Sequence, residues 1–567
     1  MKKTALIISI LCSFLMLAAQ QKSYPDYSKP VDFPIYLSGS FGELRANSFH
    51  AGIDIRTQGV EGKKIYSTGD GYVSRIGVSP WGYGKVLYIN HLEGYTTVYA
   101  HLSAFADSIA AYVKNEQYER KNYSVTLYPE KERFSVKKGQ LIGFSGNSGS
   151  SGGPHLHYEI RDAASQDPMN PLFFGIKTKD NSKPVINEFA VYPLSPNAYI
   201  ESSYEPIYLK TVPKGGDYVI NPNSVLKGIG TFAFGISAID KFDDVPNNNG
   251  VYSIALFVES RPVFKIVFDR FSYDETRYVN SLIDYAHYIE NSKRIVRTDI
   301  DPFNRLKLYD NKDGEFTINQ GDTVSFRFVV SDFQGNVTSL PFTIIGSSEN
   351  RVPRMLKQYD KSWYTVRTGE QQTILLEGFS ATIPKDAFYR DQHFKTGYRI
   401  QKGFASPIFQ LGETKIPVHK AISIKIRPFD SIQSKQLYIV HFSKTGKETA
   451  IEGTRDQAFF VAKVCQMGEF ALKIDSIKPI ITPHNFTRNA NVSAKNQITL
   501  KITDKESGIK TYTAWLNEKW LLMEYDAKNN LLIYDFDERL LKGENNFRLE
   551  VVDVVGNKTV FTSKLYR

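Results

Sequence analysis

Residues 145–160 read SGNSGSSGGPHLHYEI. A Gly- and Ser-rich run ends at Pro154 and a short apolar-polar stretch follows. Side chains alternate between the two faces of an extended strand, so His155 and His157 share a face while Leu156 points to a core. Glu159 and Arg161 continue the strand and are read as part of a solvated face. The Gly-rich run lacks the Gly-Lys-Ser/Thr ending of a phosphate-binding loop. It is predicted instead to wall a groove where backbone approaches a peptide closely, with Pro154 stiffening the approach to His155.

Working outward, residues 33–174 hold short apolar runs such as Val86-Leu87-Tyr88-Ile89, separated by turn signals at 69–71, 80–82 and 93–94. Short strands with frequent turns predict an antiparallel β domain. Of ten histidines in the chain, five fall here: His50, His91, His101, His155 and His157. Single histidines are usually satisfied surface or core residues, whereas several together with an Asp suggest a metal site. Residues 49–54 read FHAGID, and in an extended strand His50 and Asp54 would point to one side and converge on one metal. His91 is read as a packing or hydrogen-bonding residue. Three protein ligands and one open position are the usual catalytic zinc arrangement.

Four segments, RANSFHAGIDI (45–55), INHLEGYTTVYAHLS (89–103), VKKGQLIG (136–143) and SGNSGSSGGPHLHYEI (145–160), together resemble the lysostaphin-type zinc endopeptidases, the M23 or LytM-like family. The resemblance covers about a fifth of the chain, and the set is far more specific than any one of its parts. It implies a LytM-like antiparallel β peptidase domain and one Zn2+ per chain, with His50, Asp54 and His157 as metal ligands. It further implies that His101 and His155 flank the attacking water as catalytic residues, with base and acid not separated between them. Zinc would acidify that water and polarise the scissile carbonyl, and the two histidines would move protons and stabilise the oxyanion. The motif set is complete, which implies an active enzyme. The implied substrate is the peptide part of peptidoglycan, cut at Gly-Gly bridges or at D-alanyl cross-links, and the β-sandwich tail favours D,D-endopeptidase cleavage of cross-links.

The flanking sequence fits an exported protein. Lys2 and Lys3, an apolar run over 5–17, and Ala18-Ala19 read as a signal peptide over 1–20, and no candidate transmembrane span follows in the mature chain. Cys12 would leave with that segment, so Cys465 cannot form an internal disulfide; it is read as a buried small apolar residue. The formal charge is +10, or +8 without Lys2 and Lys3, which suits an anionic polymer or envelope surface. Lys and Arg are spread along the chain rather than clustered, which argues against nucleic acid. The expected location is therefore the periplasm or cell envelope.

With 567 residues, three to five domains are expected at roughly 100–200 residues each. Aromatic content of 13% favours β architecture. The peptidase domain is placed at 21–180, with a charged, partly helical insertion at 104–133 that could serve as a lid. Beyond it lies a weak repeat. Lys183-Pro184-Val185-Ile186 resembles Lys478-Pro479-Ile480-Ile481, Asp240 resembles Asp504, and residues 330–336 (VSDFQGN) resemble 551–557 (VVDVVGN). Two related immunoglobulin-like β-sandwich modules are predicted, at 181–350 with an insertion and at 476–567, flanking a β-rich module at 351–475. These modules could bind glycan, dock an envelope protein partner or occlude the groove. A silent cell-wall-binding or regulatory protein and a peptidase for other exported proteins are the alternative functions.

Overall fold

The computed structural model describes residues 24–349, 351, 353–354, 360 and 362–567. The signal-peptide reading and Cys12 lie outside these residues. Among the described residues no helix is long and apolar enough to cross a membrane.

The N-terminal domain is built on an antiparallel sheet ordered Leu37–Gly39, Ile53–Arg56, His155–Asp162, Tyr95–Leu102, Lys85–His91, Gly71–Val78, Val125–Leu127. The strand His155–Asp162 is central, and its side chains divide as its alternation demands. Leu156, Tyr158 and Ile160 are fully buried in the main core, while His155, His157, Glu159 and Arg161 project from the opposite face. A smaller sheet, ordered Lys64–Tyr66, Leu141–Phe144, Ala104–Phe105, adds Ile65, Ile142 and Phe105 to that core. The predicted insertion holds the helix Asp107–Arg120, whose Ile109, Val113 and Gln117 are buried.

Downstream the chain is β throughout, apart from short helical turns at Thr276–Tyr278, Val279–Leu282 and Tyr285–Asn291. Long strands Val185–Pro193, Val225–Ile239, Thr323–Ser331 and Val337–Ile345 dominate the first downstream module. Sheets of six and five strands follow across 363–474, and the alternating runs at 422–426 and 437–442 are the strands Ile422–Ile426 and Leu437–Phe442. Two four-stranded sheets close the chain. The middle and last modules each have their own apolar core. The first does not: its core is continuous with that of the N-terminal domain. Phe41 and Phe49 meet Phe271 with ring centroids 5.3 Å apart in each pair, and the Phe49 N–H donates to Thr276 Oγ1 at 2.9 Å.

The last module also rests on the N-terminal domain. Glu524 pairs with Lys85 at 2.7 Å, Asp537 pairs with Lys114 at 2.8 Å, and the Arg539 guanidinium lies 3.6 Å over the Tyr118 ring. Lys528 Nζ donates to the carbonyls of Asn147 and Ser151 in the Gly-rich loop. Cys465, expected to be buried, is half-buried: it follows the strand Phe459–Val464 in a turn rather than in the core.

Candidate metal centre

Strand register brings the first two groups together. His157 lies directly opposite Asp54 on one neighbouring strand and opposite Ala100 on the other. Their side chains meet with His157 Nδ1 2.8 Å from Asp54 Oδ1. His50 arrives differently from the expectation. It is not in a strand with Asp54; it follows the short strand Ser48–Phe49, and the chain bends through Ala51-Gly52 before Ile53–Arg56 begins. The bend needs glycine, since a Cβ at Gly52 would lie 2.3 Å from the Tyr158 carbonyl oxygen. The bend, not the pleat, carries His50 Nε2 to 3.0 Å from His157 Nδ1 and 3.1 Å from Asp54 Oδ1.

His101 and His155 border this trio. His155 Nε2 is 3.4 Å from Asp54 Oδ1, and the His101 and His155 ring centroids are 4.9 Å apart. His101 sits near the end of its strand with φ of 60°. A left-handed conformation at a non-glycine residue is costly, and here it re-aims the imidazole at the point where strand pairing with Lys85–His91 slips register. The sequence-predicted residues His50, Asp54, His101, His155 and His157 thus lie in one place. His91 lies elsewhere, bound to the Asp70 carbonyl at 2.9 Å and Thr97 Oγ1 at 2.7 Å.

His50, His101 and His155 each have a backbone carbonyl behind them, and since a carbonyl oxygen can only accept, the ring nitrogen facing it carries the N–H. His50 Nδ1 donates to the Ser40 carbonyl at 2.7 Å, His101 Nδ1 to Ser148 at 2.9 Å and His155 Nδ1 to Gly153 at 2.8 Å. His157 lies between two carboxylates, and with Nε2 donating to Glu159 Oε1 at 2.9 Å its Nδ1 is left toward Asp54. With neutral rings, His50 Nε2 and His157 Nδ1 therefore present lone pairs to each other and to the Asp54 carboxylate. Three acceptors within about 3 Å repel unless a cation or a proton lies among them, and two nitrogens with one oxygen are a zinc donor set. The residues present fit such an ion.

Charge follows the same logic. Burial disfavours the Asp54 anion, but His50, His155 and His157 outweigh it and hold the carboxyl well below its usual range. Burial, then the neighbouring His157 and His155, push His101 down to about 3, so it is neutral at any working pH. Burial also lowers His50. At His157 burial works against the cation, but hydrogen bonds to Asp54 and Glu159 prevail and raise it to about 9 in the metal-free protein.

The reading of Glu159 and Arg161 as a solvated face is wrong. Glu159 is fully buried and Arg161 nearly so. Glu159 accepts from Tyr83 Oη at 2.5 Å, from Tyr273 Oη at 3.0 Å and from Arg161 Nε at 2.6 Å, as well as from His157. Burial of the carboxylate is outweighed by Arg161 and His157, which keep it ionised. Tyr83 and Tyr273 carried no sequence signal, Tyr273 because it comes from the downstream module. On the other side, Arg45 Nη2 holds Asp54 Oδ2 at 2.6 Å and leaves Oδ1 to the histidines.

The His/Asp cluster on this antiparallel β domain is a candidate metal centre. Residues 48–118 and 122–171 match the model for Peptidase family M23, and residues 364–475 match that for a Zu5-like domain. The M23 match lies wholly within the N-terminal domain. The chain is similar to DD-carboxypeptidase/endopeptidase Mpg of Neisseria meningitidis, 32% identical over 131 residues (23% of this chain, 24% of that protein). It is also similar to peptidoglycan DD-endopeptidase ShyA of Vibrio cholerae, 32% identical over 146 residues (25% and 27%). The chain thus spans about a quarter of the length of these curated relatives. Among solved structures, a zinc containing peptidase from Vibrio cholerae is 26% identical, covering 28% of this chain and 40% of that chain with a TM-score of 0.20.

Proposed function

We propose that this chain is an exported zinc metalloendopeptidase that hydrolyses peptide cross-links of bacterial peptidoglycan. The observation that carries the reading is the convergence of His50 Nε2, His157 Nδ1 and Asp54 Oδ1 within 2.8–3.1 Å, each histidine fixed from behind in the ligating tautomer. Two further imidazoles stand beside them. The name of ShyA supports peptidoglycan as the substrate class, and that of Mpg supports a peptidase.

Zinc held by those three atoms would supply a Lewis acid for the scissile carbonyl and lower the pKa of water. The chain's own residues do the rest. His101 and His155 donate Nδ1–H to backbone carbonyls, so each presents Nε2 as an acceptor beside the trio. The pair can take a proton from the attacking water and return it to the leaving amine. His155, its side chain 16% exposed, is the more open of the two and marks the solvent side of the centre. Glu159 keeps the His157 ring turned so that Nδ1, not Nε2, faces Asp54.

The test is digestion of purified sacculi by the full chain, with products read by mass spectrometry. New peptide ends that vanish in a chelator support the reading. Intact cross-links after digestion with zinc-loaded protein would overturn it.

A further inference from the structure

The weak sequence repeat has a chemical counterpart. Asp180, Asp240 and Asp332 each place a carboxylate oxygen within 4.8 Å of the others, and Asp475, Asp504 and Asp553 do the same. These are matched positions. Asp180 and Asp475 each precede the Lys-Pro that opens a module by three residues, Asp240 and Asp504 end matched strands, and Asp332 and Asp553 open the DxxGN turns. The turns are held alike, the backbone N–H of Asn336 donating to Asp332 Oδ1 at 2.8 Å and that of Asn557 to Asp553 Oδ1 at 2.7 Å.

The first cluster is buried, the second is buried apart from the half-buried Asp504, and both are incompletely satisfied. Asp180, Asp240, Asp332, Asp475 and Asp553 are at most 7% exposed. Among the described residues Asp180 Oδ2, Asp240 Oδ1, Asp504 Oδ2 and Asp553 Oδ2 have no hydrogen-bond partner, nor has either polar side-chain atom of Asn249, whose backbone pairs with Asp240. Among the described residues no Lys or Arg forms an ion pair with any of the six carboxylates. Three buried carboxylates with no counter-charge are expensive; burial and then Asp180 and Asp332 push Asp240 up to about 8. Retaining this cost twice, at the same positions, calls for a cation.

We propose that the two clusters are divalent cation sites for calcium, one at the entry to each immunoglobulin-like module. The donors are all hard oxygens with no His or Cys, which suits calcium and not zinc. A 4.8 Å limit between oxygens lies inside the roughly 5 Å that two ligands span across one Ca2+. Asn249 Oδ1 is available as a further ligand in the first site. Position gives the role. Asp180 lies on the connection from the peptidase domain, and Asp475 directly follows the last strand of the middle module, Gly468–Ile474. Each ion would tie a connecting segment to two strand ends of the next module and so stiffen the junction.

The experiment uses the full chain stripped with EGTA, then equilibrium dialysis with radioactive calcium at about 1 mM, the range of extracellular calcium modules. Wild type should hold two calcium ions per chain and gain a few degrees in Tm over the EGTA form. An Asp240→Asn, Asp332→Asn double variant should lose one ion, and Asp504→Asn, Asp553→Asn the other. The Asn side chains relieve repulsion, so both variants should be at least as stable as wild type in EGTA. MgCl2 at the same concentration should raise Tm less. No calcium retained by wild type, or equal retention by wild type and both variants, would overturn the proposal. A magnesium effect equal to that of calcium would overturn the choice of ion.

Discussion

At the scale of single residues, what distinguishes this centre is the hydrogen-bond partner behind each imidazole. Four histidines could adopt either tautomer, and three carbonyls and one carboxylate choose for them. Glu159 is the partner whose loss is most informative, because among the described residues His157 has no other acceptor at Nε2. Glu159→Ala should lower zinc affinity about 10–100-fold, measured by competition with a chromophoric chelator; unchanged affinity would remove Glu159 from the centre. The raised pKa of His157, about 9 without metal, makes a second prediction. At pH 7 the ring carries a proton that a ligating Nδ1 must give up, so zinc uptake should release about one proton. Calorimetry in buffers of different ionisation enthalpy reads this directly. A third concerns His101, whose folded pKa of about 3 lies below the ordinary 6.5. Between those values the unfolded chain binds a proton that the folded chain does not, so this residue's contribution to stability is full above pH 6.5 and falls as pH drops toward 3. His157 has the opposite sign in the metal-free protein, its contribution being lost as pH rises through 9. Removing His101 by substitution with Gln should flatten the acid limb of a Tm-against-pH curve. The alternation of His155, His157, Glu159 and Arg161 already put all four on one face in the sequence. What it lacked was any sign that Tyr83 and Tyr273 close over that face, so the two charged residues were read as solvated.

At the scale of elements, the strand His155–Asp162 organises the site through register, and period-2 alternation was enough to assign its core and site faces. His50 shows where that reasoning fails. A spacing of four residues suits one strand face, but the residues between His50 and Asp54 form a bend whose geometry depends on the carbonyl of Tyr158, more than a hundred positions away. Only the fold reveals that contact. Gly52→Ala should therefore be far more damaging than a surface Gly→Ala. It forces strand separation or a shifted His50, at a cost of about 1–3 kcal/mol, and both Tm and zinc content should drop together. The left-handed residue His101 was equally invisible, because nothing in the run Tyr99-Ala100-His101 marks a positive φ.

At the scale of the whole molecule, the boundary drawn near residue 180 cuts a continuous core. Composition changes there, and a lone chain gives no means of seeing that Phe41 and Phe49 pack on Phe268 and Phe271. Residues 21–180 expressed alone should accordingly be much less stable than residues 21–347, with apolar surface exposed and Tyr273 missing from Glu159. Thermal unfolding of the two fragments checks this. The repeat, by contrast, was legible because turn residues with fixed hydrogen-bonding duties tolerate little variation within one chain. The last module's contacts on the insertion helix and on residues 147–151 were not legible, since they join charges far apart in the chain, such as Lys114 and Asp537, with no pattern to pair them.

The most direct test of the central claim compares the full chain with its His155→Ala variant for bound zinc and for digestion of peptidoglycan sacculi. His155 stands beside the proposed ligand trio without belonging to it, so the variant should keep its zinc and lose about 10²–10⁴-fold in activity, with new peptide ends only from the wild type. Zinc in both proteins and intact cross-links in both digests would contradict the enzyme; equal digestion by both would contradict the role given to His155.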